Sequence, residues 1–260
     1  MPNAIFDTDV TDAQWKLLQP LLPKAKRRGR PRTPLRAVVN AVLYMVKSGG
    51  PWRLLPPTFP PWKTVYHHFR AWSRDHTWSA LNDCLRALVR ATHDKRCRPT
   101  AAVLDSQTVR SAPHGGAVGY DAAKKTKGRK RFLLVDTLGL VLGVSVEPAS
   151  TPERVGALAL LAALLPVFTW LRKLWVDGAY SGDDFANAAQ EYRPKLEVEV
   201  VKRSDDTSGF VVLPRRWVVE RTFAWLMQHR RLVRDYEQTD ASAEAWIYVA
   251  IIRVMLRRLA

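Results

Sequence analysis

Apolar residues recur at helical spacing up to about His93, and strand-like and helical runs alternate after it. In "TDAQWKLLQPLL", Thr11 is placed to cap a short helix carrying Trp15, Leu18 and Leu22 on one face. "PLRAVVNAVLYMVKSGG" predicts a helix that stops at the Gly49-Gly50 pair. "PWKTVYHHFRAWSRD" predicts another, with Val65, Phe69 and Trp72 inward, and "TWSALNDCLRALVRATH" a further one. The character changes at "DKRCRPT". A strand "AAVLD" ending in Asp105 follows, and then a hairpin of "KRFLLVDTLG" and "LVLGVSVEPA" about Leu138-Gly139. Next come a helix over 152–165, a strand "TWLRKLWVD", a helix from about Asp183 to Glu191 and an alternating strand in "KLEVEVVKR". "PRRWVVERTFAWLMQHRRLVRDY" predicts one long helix with Pro214 in its first turn, and "ASAEAWIYVAIIRVMLRRLA" a last, basic-ended one. The pattern predicts a small all-α domain over residues 1–95 and an α/β domain over 96–260. No repeat of 20–50 residues is visible.

Composition sharpens this picture. Hydrophobic residues make up 47% of the 260, enough for a core. The formal net charge is +17, and it is unevenly spread. From Ala13 to Arg74 there are thirteen Lys/Arg and no Asp or Glu, which points to a polyanionic partner. The segment "KAKRRGRPRTPLR" reads as a basic arm, so Arg27, Arg28, Arg30 and Arg32 are candidate phosphate or minor-groove contacts; the plain alternative is a charged linker. Helix, turn and a second basic, aromatic helix outline a helix-turn-helix, with Lys63 and Arg70 as candidate DNA contacts and a packing helix as the alternative. The run "KKTKGRKR" (124–131) holds six basic residues and reads as a second DNA-backbone contact, or else as a solvated hairpin flank. The uncharged stretch 155–171 is short for a membrane span and is interrupted by Pro166, so a buried helix is expected. "MPNAIFDTDVTDAQW" is acidic and lacks an apolar run, so no signal peptide is expected. Cys84 and Cys97 have neither CxxC nor zinc spacing and read as reduced thiols; His67, His68, His114 and His229 likewise form no zinc pattern.

Two apolar strands end in a carboxylate, Asp105 in "VLD" and Asp177 in "WVD", and Glu220 interrupts "RRWVVERTFAWL". Open α/β sheets place functional groups at strand ends. Three carboxylates meeting there would need a cation between them, and oxygen-only donors suit Mg²⁺. The plain alternatives are turn or capping aspartates and a Glu220 paired with Arg216 or Arg221. Spacing alone leaves these open.

The longer words decide more. "VLDSQTVRS", "GYDAAKKTKGRKRFLLVDTLGLVLGVSVEPAS", "WVDGAYSGDDF" and "RRWVVERTFAWLMQHRRLVRDYE" stand in this order. With "VTDAQWKLLQPLLP", "RGRPRTPLRAVVNAVLYMVKSGGPWRLLP" and "WKTVYHHFRAWSRDHTW", they closely resemble the DDE transposases of bacterial insertion sequences, specifically the IS5 group of the IS4-like class, over residues 7–255. The resemblance implies a ribonuclease H-like catalytic domain, a mixed sheet flanked by helices, behind a helix-turn-helix-like DNA-binding domain. It implies Asp105, Asp177 and Glu220 as catalytic residues and ligands of two Mg²⁺ or Mn²⁺ ions. It implies strand cleavage and transfer on double-stranded DNA, both element inverted repeats and target, by a homodimer or larger synaptic complex in the bacterial cytoplasm, at the nucleoid and off the membrane. A silent DNA-binding derivative and a stand-alone nuclease are the alternatives. Lys124, Lys125, Lys127, Arg129, Lys130 and Arg216 are the further basic residues expected at DNA. Arg230 or Arg231 is expected to take the phosphate-contacting role that the wider class gives to a basic residue beyond the glutamate. Where the family often has Asn-x-His-Asp, this chain has "ASTPERVG" with Glu153 at the acidic place, and no role follows for it.

Overall fold

The computed structural model describes residues 6–24, 32–113, 115–201 and 217–260. Four helices come first: α1 (Asp12–Leu18), α2 (Leu35–Ser48), α3 (Trp62–Arg74) and α4 (Thr77–Ala91). Thr11 and Gln14 close a capping box on α1, each side chain bonding the other's backbone N–H. Helix α2 stops at Gly49, whose φ of 74° lies in the left-handed region. Strands β1 (Ala101–Arg110), β2 (Gly119–Asp121), β3 (Thr126–Asp136) and β4 (Val141–Pro148) follow. They lead into α5 (Glu153–Leu164), β5 (Lys173–Val176), α6 (Asp183–Tyr192) and β6 (Glu197–Val200). Helices α7 (Trp217–Met227), α8 (Arg230–Val233) and α9 (Asp240–Leu259) complete the described chain.

The six strands form one mixed sheet in the order β2-β3-β1-β5-β6, with β4 also paired to β3. β1 runs antiparallel to β3 and parallel to β5, and β5 runs parallel to β6. Alternation along each strand separates two faces. Leu104, Phe132, Leu134 and Leu174 face α5 and α6, where Gly156 lets α5 close on the Phe132 ring: a Cβ there would lie 2.3 Å from it. Val103, Leu133, Val135 and Val144 face the other way, toward α7 and α9. The helices α2, α3 and α4 join this second core. α4 is also tied to the sheet by polar bonds. Buried Arg90 pairs with Asp136 at 2.5 Å, and Asp136 accepts the Leu138 and Leu140 N–H groups. Asn82 and Arg86 both donate to the Val141 carbonyl. This is a ribonuclease H-like sheet flanked by helices, with a helical region before it.

Three expectations need correction. The strand of Asp105 runs on to Arg110, because β3 pairs along it as far as Gly128. Strand β3 starts at Thr126 rather than Lys130, so most of the basic run is sheet. The long helix expected beyond "PRRW" ends at Met227, and its first residues and Pro214 lie outside the described part. At His229 the backbone is extended, and Arg231 turns inward to the Gly50 carbonyl and Glu237. Gly49 makes room: a Cβ there would stand 2.9 Å from that of Arg230. Tertiary partners from a distant loop thus override local helical pattern. The stretch 155–171 is α5 plus turns, and no helix among the described residues is long and apolar enough to cross a membrane.

Two consequences can be measured. The Trp225 carbonyl accepts from His229 Nδ1, and burial lowers the His229 pKa to about 4. Unfolded His titrates near 6.5, so below that pH the unfolded chain takes up a proton that the native one refuses. His229 therefore contributes full stability above pH 6.5 and loses it as pH falls toward 4. Urea melts at pH 7 and 5.5 should differ by about 1 kcal/mol more in the wild type than in His229→Gln; equal differences would contradict the buried neutral imidazole. Second, Gly139 has φ 78°, and a Cβ there would stand 2.8 Å from Thr222 Oγ1 on α7. Gly139→Ala should cost roughly 2 kcal/mol by the same melts; a neutral change would mean that α7 is not seated on this turn.

Candidate active site

The register of β1 and β5 pairs Ala101 with Lys173, Ala102 with Leu174 and Val103 with Trp175. Continued by two residues, it brings Asp105 level with Asp177. Each aspartate lies two positions beyond a residue of the second core, Val103 or Trp175, so both belong to the face that carries α7. Asp105 Oδ1 accepts the Ser106 N–H at 2.7 Å. Asp177 caps the helical turn Gly178–Tyr180, its Oδ1 accepting the Ala179 N–H at 2.9 Å. Both side chains are half-buried. β5 stops at Val176, so Asp105 lies on an edge of β1 past that partner.

A third acid comes from the other face. Glu153, the first residue of α5, accepts from Ser106 Oγ at 3.1 Å and from Lys124 Nζ at 3.2 Å. Tyr180 is 1% exposed, with its hydroxyl beside Ser106. Burial, then the charges of Asp105, Glu153 and Asp177, raise its pKa far above the ordinary phenol value. The phenol thus feels the charge of all three carboxylates. Sequence reading gave Glu153 no role; its one signal was the acidic place in "ASTPERVG".

Glu220 lies on α7, which packs over the face of Asp105 through Val219, Phe223 and Leu226. Thr222 Oγ1 donates to the Gly139 carbonyl and Arg221 to that of Leu138, which fixes the helix on the β3–β4 turn. Glu220 itself is exposed. Among the described residues, no group of three His, Cys, Asp or Glu side chains stands close enough to hold a metal ion. The structure therefore places Asp105 and Asp177 level and Glu220 on the same face, without closing the three into a ligand set. None of the three is without a partner. The donor set at the level pair is oxygen only, which suits a hard divalent cation.

The basic residues divide sharply. Arg27, Arg28, Arg30 and Arg216 lie outside the described residues, as does His114. Arg32 is exposed and donates to the Pro23 carbonyl, and Lys63 is exposed beside Trp62. Lys125, Lys127 and Arg230 are exposed, and so is Lys124 outside its bond to Glu153. Four others are corrected to structural roles. Arg129, fully buried, reaches Asp235 and Asp240. Lys130, on the opposite face, bonds the Thr151 carbonyl and Asp121. Arg231 is held by Glu237 and by the Gly50 carbonyl. Arg70, half-buried, donates to Thr239 and Ser242 at the start of α9. Strand alternation sends Arg129 and Arg131, both buried, into the segment between α8 and α9. Burial lowers the Arg131 pKa to about 10, so it stays cationic at neutral pH and donates to the Leu232 carbonyl.

Comparison with known proteins agrees with this arrangement. Residues 10–82 match the family described as "Putative transposase of IS4/5 family", and residues 96–255 match "Transposase DDE domain". The insertion element IS402 uncharacterized 16.2 kDa protein of Burkholderia cepacia is 30% identical over 117 residues, covering 42% of this chain and 78% of that protein. The uncharacterized protein y4sN of Sinorhizobium fredii is 28% identical over 118 residues, covering 45% of this chain and 84% of that one. A sheet of this topology, two level aspartates and a match over most of the α/β region lead to one conclusion: the chain belongs to the DDE-domain transposases of the IS4/5 family.

Proposed function

We propose that the chain binds the terminal inverted repeats of an insertion element, cuts DNA strands there and joins them to target DNA, using Asp105, Asp177 and Glu220 as its catalytic carboxylates. The observation that carries this reading is the level placement of Asp105 and Asp177 on the face covered by α7. Transposases of this family use a divalent metal in general; here it would be a pair of Mg²⁺ or Mn²⁺ ions held by those three residues. When bound, such a pair activates the attacking hydroxyl and stabilises the leaving oxygen of an in-line displacement.

The rest falls to the protein. The Ser106 and Ala179 N–H groups hold Asp105 and Asp177 in one orientation, so little ordering is left for the reaction. Glu220 is delivered by α7, whose seat on the β3–β4 turn sets its height over the sheet. The three carboxylates act as ligands rather than nucleophiles, so no covalent protein–DNA species forms. Lys124, Lys125 and Lys127 lie on the hairpin beside the site and neutralise phosphate. Residues 1–95, with Lys63 outward on α3, recognise the element ends, and residues 96–260 cut. Two ends must be held together, so the working form is a homodimer or larger assembly on DNA.

The test is a cleavage and joining assay on DNA carrying the element's own ends, with Mg²⁺ or Mn²⁺, for the wild type and Asp177→Asn. Nicking at the ends by the wild type, reduced roughly a hundred- to a thousandfold in the variant while end binding persists, is expected. Tight end binding without cleavage by either protein would replace the proposal with a silent DNA-binding protein, and cleavage without joining would leave a nuclease.

A further inference from the structure

On the α7 side of the sheet, two adjoining cavities of ≈ 480 Å³ and ≈ 420 Å³ share Arg110 and Arg234. The groove they form starts between Gln107, two residues beyond Asp105 on the same strand face, and Met227, the last residue of the helix that carries Glu220. It runs outward along β1 to the β2–β3 hairpin, where Tyr120, Lys125 and Lys127 line it. Its inner end thus lies two residues along β1 from Asp105.

Its lining mixes two chemistries. Arg110, Lys125, Lys127 and Arg234 are exposed, and among the described residues no carboxylate pairs with any of them. Four cations along one groove ask for a polyanion. Between them lie exposed apolar groups: Tyr120 at 56%, Val233 at 49%, Val118 at 38% and Met227 at 36%. Duplex DNA keeps the faces of its bases stacked out of reach and turns mainly sugar and phosphate outward. Unpaired bases offer flat faces that an aromatic ring can stack on, next to phosphates that cations can neutralise.

The structure also shows how the groove is built. Arg110 and Arg234 come together because the chain after α8 lies along the end of β1. There the Asp235 N–H donates to the Arg110 carbonyl at 2.9 Å and the Ala112 N–H to the Asp235 carbonyl at 2.7 Å. Neither arginine belongs to a basic run, so the sequence pattern does not mark them.

We infer that this groove binds the unpaired segment of a DNA strand next to the scissile phosphate, with a base stacked on Tyr120 and the backbone held by Arg110 and Arg234. The inference rests on the DNA-cutting reading above, but its readout is binding and needs neither metal nor cleavage. Labelled oligothymidylate and a mixed-sequence duplex of the same length are titrated in EDTA against the wild type, Tyr120→Ala, Tyr120→Phe and Arg110→Ala/Arg234→Ala. Tyr120→Ala should weaken oligothymidylate binding roughly tenfold and duplex binding less than twofold, and Tyr120→Phe should restore it. The double arginine variant should reduce the salt slope for the single strand by roughly one to two. Equal losses on both probes, or none on either, would overturn the groove. A check that needs no variant is crosslinking with an iododeoxyuridine-containing single strand. Adducts at Tyr120 are expected; adducts confined to Trp62 or Tyr66, on the exposed aromatic surface of the N-terminal helices, would also overturn it.

Discussion

The N-terminal helices, α7 and one face of the sheet are fastened to one buried helix. α9 hides twelve of its twenty residues, on more than one side, which an ordinary surface helix does not do. Trp246 sits at its centre, fully buried, stacked on Phe69 of α3 at 4.2 Å and facing Trp52 and the Arg231 guanidinium. On its other sides lie α4, α7 and the sheet at β4. The helical N-terminal region and the α/β region therefore share one apolar core, in which α9 belongs to both. A helix of this kind forms only when all of its neighbours are in place, because its apolar surface has no other cover.

That shared core explains the behaviour of the basic residues. Arg129 and Arg131 on β3, Arg70 on α3 and Arg231 in α8 all converge on the start of α9 and the chain leading into it. Buried cations are costly unless they are paired, and here Asp235, Glu237, Asp240 and backbone carbonyls pair them. The excess charge of the chain therefore splits into an internal set that holds the fold and an external set on the surface. The external set contains Lys124, Lys125 and Lys127 on the hairpin and Lys63 on α3. Counting charge along the sequence cannot separate the two sets, because a strand turns alternate residues of one run to opposite faces.

Local signals in the sequence read well where the physics is local. The capping box at Thr11, the stop at Gly49 and the inward Val65, Phe69 and Trp72 all follow from periodicity and end chemistry. The two aspartates were legible as strand-end carboxylates, although Asp105 turns out to sit within a longer strand. What gives them meaning is the β1–β5 register, and no residue in either strand encodes that by itself. The break after Met227 was not legible: "LMQHRRLV" is good helical sequence, and the loop at Gly49-Gly50 decides its path from far away in the chain. Glu153 and Tyr180 were missed for the same reason, since their place beside Asp105 and Asp177 arises from packing of α5 against the sheet.

The central claim is that Asp105, Asp177 and Glu220 converge on a divalent cation at the α7 face. The most direct measurement is anomalous diffraction from crystals grown with Mn²⁺ and DNA. The account predicts a peak within roughly 2–2.5 Å of carboxylate oxygens from both aspartates, with Glu220 drawn in to complete the set. No peak at that pair, or one confined to other carboxylates while Asp105 and Asp177 remain unliganded, would contradict it.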